Sequence, residues 1–232
     1  MDPDLRAPVH ARLIPAIVAS RGLLRVNVTG NAGAGKSTIA RALGDASGIE
    51  VVGLDRIVWQ PYWTPTPTHQ REALIADVVE RPEWIVDGVS RQVRGHADLI
   101  VFIDLKRRVL LWRCARRNVR HLWRTRPDLP DGCPEALIIR RLLRIIMRFP
   151  RDVRPAILDD GSRAPAFVHL RSRQQLDEFL GELRAIARET ESYSKATASP
   201  TVIPRLSLSM ATARRNRIDR RAAVSESTRP AA

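Results

Sequence analysis

Nine consecutive residues, Gly30-Asn31-Ala32-Gly33-Ala34-Gly35-Lys36-Ser37-Thr38, carry the strongest chemical signal in the sequence. Their spacing is G-x-x-x-x-G-K-[ST], the P-loop pattern, which cradles the phosphates of a nucleoside triphosphate. From Gly30, Gly33, Ala34 and Gly35 on to Thr38, backbone N–H groups would converge on phosphate oxygens, aided by the partial positive charge of a helix N-terminus. Lys36 would reach the β- and γ-phosphates and Ser37 would ligate Mg²⁺. ATP and Mg²⁺ are therefore the expected cofactors. Only three of the 39 basic residues are lysines, and a single one falls in the first hundred positions, inside this loop.

The elements that must position this loop are legible on both sides of it. Residues 23–29 are apolar and β-branched and read as a strand, and residues 36–46 read as the helix that follows. Glu50 to Asp55 and Trp84 to Gly88 read as further strands, with carboxylates, Asp55 and Asp87, where they end. Leu99 to Asp104 is the most apolar run, and residues 165–170 read as a fifth strand. Near-continuous apolar strands separated by helices predict a buried, mostly parallel sheet. In such sheets ligands bind at the carboxyl ends of the strands, which places Asp55 and Asp87 beside the P-loop. The expected fold is α/β, a P-loop NTPase with a five-stranded, mostly parallel sheet flanked by helices.

Between these strands lie two less regular stretches. Residues 59–67 hold three prolines and three large aromatics, which predicts a stiff, non-helical loop. Trp59 and Trp63 read either as packing under that loop or as a stacking surface for a base. Thr68 is the expected N-cap of a helix over 69–81. From Lys106 to Arg126 there are nine basic residues and no acidic one. Helical spacing puts Leu111, Ala115, Val119 and Leu122 on one face and Arg113, Arg117, Arg120 and Arg124 on the other. Arg140, Arg144 and Arg148 repeat at i, i+4, i+8 beyond a proline-bounded turn. Like charges stacked this way destabilise a free helix, so the pattern predicts an arginine-lined helical hairpin facing a polyanion.

The formal net charge of +14 permits a nucleic-acid partner, but arginine also gathers around ATP phosphates. Two cysteines without metal-ligand spacing point to a reduced, cytoplasmic setting. No apolar run is long enough to span a bilayer, and the start Met1-Asp2-Pro3-Asp4 lacks the basic residues of a signal peptide. Residues 1–22 read as an extended leader, 23–189 as the P-loop domain with its lid at about 106–154, and 190–232 as a basic, disordered tail.

Taken together, these motifs resemble the adenylate-kinase-like P-loop kinases, and most closely the bacterial DNA topology modulation proteins. The markers are Gly30 to Thr38; Leu54-Asp55 with Trp59, Pro61 and Trp63; Trp84 to Gly88; Phe102 to Leu105; Leu111-Trp112-Arg113; Arg126-Pro127-Asp128; Gly132-Cys133-Pro134-Glu135; and Val168 to Ser172. The resemblance implies an ATP-binding fold with a mobile lid between strands four and five. It implies that lid arginines, Arg113 and Arg117 first, contact the transferring phosphoryl group. It also implies that Asp87 holds a water of the Mg²⁺ shell. The expected function is that of a small Mg-ATP phosphotransferase in which Lys36, Asp55, Asp87, Arg113 and Arg117 act on a nucleotide or another small phosphoryl acceptor. The alternative is an ATP-regulated, DNA-associated protein affecting DNA topology. The sequence names neither the acceptor nor the oligomeric state.

Overall fold

The structure, a computed structural model, describes residues 24–121 and 129–197, with side chains left out at 118–121, 135, 190 and 193–197. The described residues up to Tyr193 form one compact unit; of a second unit beginning at Ser194, only the helical residues through Thr197 are described. The expected leader, most of the expected tail, and Arg124 and Arg126 lie outside the described residues.

The central strand is β1 (Arg25–Gly30). It is flanked by β5 (Trp84–Asp87) and β6 (Leu99–Ile103), with β2 (Val51–Gly53) and β7 (Ala166–Leu170) outermost. The order is β2-β5-β1-β6-β7 and all four pairings are parallel. The register sets Asp87 beside both Val28 and Gly53, at the carboxyl edge. Strand alternation divides the core into two faces. Ile85, Leu99, Val101 and Ile103 pack with Ile39 and Leu43 of α1 (Lys36–Ser47) and with Phe179 and Leu183 of α8 (Arg173–Thr197). Trp84, Val86 and Ile100 face the other way, against α3 (Thr68–Val79) and Val93 of α4 (Arg91–His96).

Local chemistry differs from expectation in four places. Asp55 is not at the tip of a strand; β2 stops at Gly53 and Asp55 lies in the first turn of a short helix, α2 (Leu54–Val58). The proline-rich stretch is an antiparallel hairpin of β3 (Trp59–Gln60) and β4 (Thr64–Pro65) around a 3₁₀ turn at Pro61–Trp63. Thr68 is the first residue of α3, not its cap, because Pro67 takes the cap position and no side chain caps the helix. Helix α4 had no strong periodic signal; Ser90 caps it by accepting from the Val93 N–H at 3.4 Å.

Beyond β6 come α5 (Arg107–His121), a 3₁₀ turn at Glu135–Ile138, α6 (Ile139–Asp152) and α7 (Arg154–Arg163). An ion pair ties α7 to α4: Arg94 Nε donates to Asp160 Oδ2 at 2.8 Å, with side chains only 3% and 12% exposed. Removing one member of a buried pair strands the other charge in low dielectric. Asp160→Ala is therefore expected to cost about 3–5 kcal/mol, read as a lower urea midpoint. An unchanged midpoint would show that water reaches the Arg94 guanidinium.

Candidate active site

The P-loop leaves β1 at Gly30 and enters α1 through Gly35, whose φ of 101° only glycine adopts without strain. Gly33 also needs to be glycine, for a reason unrelated to phosphate. Its φ is 76°, and a Cβ there would lie 2.7 Å from Cys114 Sγ of α5. The loop is thus pressed against the first helix of the expected lid. It is braced internally by Ala34 N–H to Asn31 O at 3.2 Å, and Lys36 Nζ donates to the same carbonyl at 3.2 Å.

The Asp87-Gly88 turn is fixed just as tightly. Buried Asn27 of β1 donates from Nδ2 to Val86 O at 3.1 Å and to Gly88 O at 3.2 Å. Gly88 has φ of 150°, and a Cβ there would meet the Leu54 side chain at 2.6 Å. Leu54 begins α2, so the same contact sets Asp55 relative to Asp87.

A cleft of about 830 Å³ opens over this edge of the sheet. It is lined by Gly30, Gly33, Gly35, Lys36, Ser37, Thr38, Asp55, Asp87, Arg113 and Arg117. Of the residues expected to act, Ala34 alone is not in the lining. It is fully buried, and its backbone serves the loop and Arg113 instead.

Helix α5 is rotated from expectation. Its buried residues are Leu110 and Cys114, while Ala115, expected in the packed stripe, is exposed. The half-buried Arg113 and Arg117 lie within about 100° of Leu110 and Cys114 on the helix. The arginines are therefore on the packed side, toward the P-loop, and Arg113 Nη1 donates to Ala34 O at 3.1 Å. A binary apolar/polar pattern treats arginine as outward, which is why the stripe misleads. Val119, Arg120 and Leu122 fall where side chains are not described. Arg116 stacks over the exposed Trp112, 5.5 Å from the ring centroid, and does not line the cleft.

The second arginine series also needs correction. Arg140, Arg144 and Arg148 are exposed and outside the cleft lining. The stripe that lines the cleft runs from Ile138, at the end of the 3₁₀ turn, through Arg141, Leu142, Ile145 and Phe149 of α6, a spacing of i, i+3, i+4, i+7, i+11 that was available in the sequence. Arg141 rests its guanidinium over Trp59, 4.3 Å from the ring centroid. Trp59 and Trp63 form an edge-on pair at 5.5 Å, and both line the cleft.

The hairpin and the turn before α6 meet across the chain. Trp63 Nε1 donates to Pro134 O at 2.9 Å, the Trp63 N–H points to Cys133 Sγ at 3.3 Å, and the Tyr62 N–H to Asp131 O at 3.4 Å. A Cβ on Gly132 would lie 2.6 Å from the Tyr62 ring. Tyr62 and Trp63 hold φ of 61° and 58°, a region that costs a non-glycine residue about 1–3 kcal/mol. The contacts to 131–134 offset that strain, so the hairpin and the turn form one continuous roof, which reaches the cleft through Trp59 and Trp63.

Three glycines with positive φ, an inward lysine and arginines on the packed side suit a polyphosphate, so the residues present fit ATP. Ser37 and Asp87 line the same cleft, as a phosphate-bound Mg²⁺ needs. Among the described residues, no group of three or more His, Cys, Asp or Glu side chains is placed to hold a metal ion by itself. No described helix is long and apolar enough to cross a membrane.

The chain has an α/β P-loop fold: a five-stranded parallel sheet flanked by helices, with the glycine loop at its carboxyl edge. No protein-family model matches it, and no curated protein matches it in sequence. Among solved structures it is similar to a shikimate kinase from Acinetobacter baumannii in complex with shikimate, 17% identical over 79% of this chain and 99% of that one, with a TM-score of 0.41. It is also similar to a gluconokinase from Sinorhizobium meliloti 1021, 20% identical over 77% and 99% of the two chains, TM-score 0.40. A shikimate kinase from Bacteroides thetaiotaomicron is 16% identical over 71% and 98%, TM-score 0.42. At these scores the likeness carries no argument about activity, and each named substrate belongs to the protein it was named for.

Proposed function

We propose that the protein is an ATP-dependent phosphotransferase acting on a small-molecule acceptor. The observation that carries this reading is that Lys36, Ser37, Asp55, Asp87, Arg113 and Arg117 line one cleft over a P-loop. Bound Mg-ATP would supply the phosphoryl group and part of the charge neutralisation. The chain supplies the rest. The loop amides and Lys36 would hold the phosphates, Ser37 would ligate the metal ion, and Asp87 would support it from the same cleft. Arg113 braces the loop, and Arg117, in the cleft lining, would meet the charge on a transferred phosphoryl group. Asp55, on the far wall, accepts the proton of an acceptor hydroxyl.

That far wall also selects. Trp59 and Trp63 give it a flat apolar face, and a guanidinium stacked on Trp59 keeps its N–H edge available for a carboxylate or phosphate. The reading therefore favours an acceptor with a hydroxyl and an anionic group. A panel of D-glycerate, gluconate and glycerol 3-phosphate against glycerol and sorbitol, assayed for ADP release, tests it. Faster release with the anionic members, lost in Arg141→Ala, is the expected result; equal rates with the neutral polyols would remove Arg141 from acceptor selection, and no release from any member would count against a hydroxyl acceptor.

The finer resemblance, to the DNA topology modulation proteins, rests on sequence markers that have a structural reading of their own. Trp63, Gly132, Cys133 and Pro134 are the residues that join the roof. They support a shared architecture with that group; a DNA partner rests only on that resemblance and on net charge.

A further inference from the structure

Helix α6 contains a proline, Pro150, near its C-terminal end. Proline has no N–H, so the carbonyl four residues earlier, on Ile146, lacks its helical donor. Ile146 is fully buried, away from water that might otherwise serve. The donor comes from the phosphate loop, where Asn31 Nδ2 lies 3.1 Å from Ile146 O. Asn31 is itself buried, and its side-chain oxygen and its carbonyl are engaged as well. Its Oδ1 accepts from the Ala32 N–H at 2.7 Å. Its carbonyl accepts from the Ala34 N–H and from Lys36 Nζ, both at 3.2 Å.

One residue thus joins three parts: its side chain ties the first turn of the loop to the helix that carries Arg141, Leu142 and Ile145 along the cleft, and its backbone carbonyl holds the ammonium group of Lys36. We infer that Asn31 is a positioning residue, which sets the phosphate loop and Lys36 against α6 through the carbonyl that Pro150 leaves open. The inference rests on reading the cleft as an ATP site. Nothing in the P-loop pattern requires it, because the second position of G-x-x-x-x-G-K-[ST] is unrestricted. Asparagine is suited to the place because it offers a donor and an acceptor on one short, rigid side chain.

Asn31→Ser separates the two bonds. A hydroxyl still caps the Ala32 N–H but is too short to reach Ile146 O. Binding of a fluorescent ATP analogue with Mg²⁺ is measured at a temperature where the variant is fully folded by circular dichroism. The expected result is an affinity about tenfold weaker than that of the parent chain, the size of one hydrogen bond in a buried network. Pro150→Ala restores an N–H at position 150 and offers Ile146 O a helical donor. In that background Asn31→Ser should lower the urea midpoint less than it does alone, and the double variant keeps the comparison open if Asn31→Ser by itself folds poorly.

Unchanged ATP affinity in Asn31→Ser would overturn the positioning role. An equal loss of urea midpoint in both backgrounds would overturn the tie through Ile146 O. If the parent chain itself does not bind the analogue, the ATP reading of the cleft falls and the positioning role with it, while the urea cycle still decides whether the Asn31–Ile146 tie exists.

Discussion

Lys36→Ala is expected to abolish ATP binding at micromolar concentrations and to lower turnover by about 10³-fold or more, the scale of a lost charge clamp on a transferring phosphoryl group. The ammonium group lies in the cleft, half-buried, 3.2 Å from Asn31 O, so it is held at the loop before any phosphate arrives. Among the described residues no other lysine lines the cleft to replace it. Arginine is a poor substitute, because a planar fork in that confined place cannot present the compact charge of an ammonium group. A fluorescent-ATP titration and an ADP-release assay on the same preparation check this. Full affinity and turnover in Lys36→Ala would remove the phosphate-binding role and with it the proposed activity.

Arg117→Ala is expected to act differently. Its side chain is on the packed face of α5, half-buried, and lines the cleft one helical turn beyond Arg113. An arginine that meets charge developing on the phosphoryl group lowers the barrier more than it tightens the ground state. The expected outcome is a loss of kcat approaching 10³-fold with ATP affinity changed severalfold at most. Arg113→Ala gives the contrast. That guanidinium supports the loop through Ala34 O at 3.1 Å, so its loss should weaken ATP affinity as well. Equal losses of kcat and affinity in Arg117→Ala would assign it to ground-state binding.

What the sequence makes legible follows from the range of the forces involved. The glycine loop, the apolar strands and the carboxylates after β2 and at the end of β5 are local patterns, and they place the sheet edge where the cleft is found. The rotation of α5 was not legible from apolar periodicity. Arg113 is inward because the Ala34 carbonyl of the P-loop lies beneath it, and Arg117 lines the cleft one turn further on, facts outside the helix itself. The series Arg140, Arg144, Arg148 has the more regular spacing, while the stripe through Arg141 mixes one charge with four apolar residues, a pattern that periodicity alone does not separate from packing. The pairing of Asn31 with Ile146 spans 115 residues, and only the proline at 150 hints that a carbonyl is open.

The roof has a consequence for how the chain can vary through descent. Tyr62 and Gly132 share one space, with the ring where any Cβ at 132 would go, and Trp63 depends on the Pro134 carbonyl. A larger residue at 132 is strained by its φ of 72° and must also displace the Tyr62 ring, and a change at 63 leaves the turn without its main donor. Two segments some seventy residues apart are thus coupled. The tryptophan and Gly-Cys-Pro markers, separate along the sequence, meet in a single steric and hydrogen-bonding constraint.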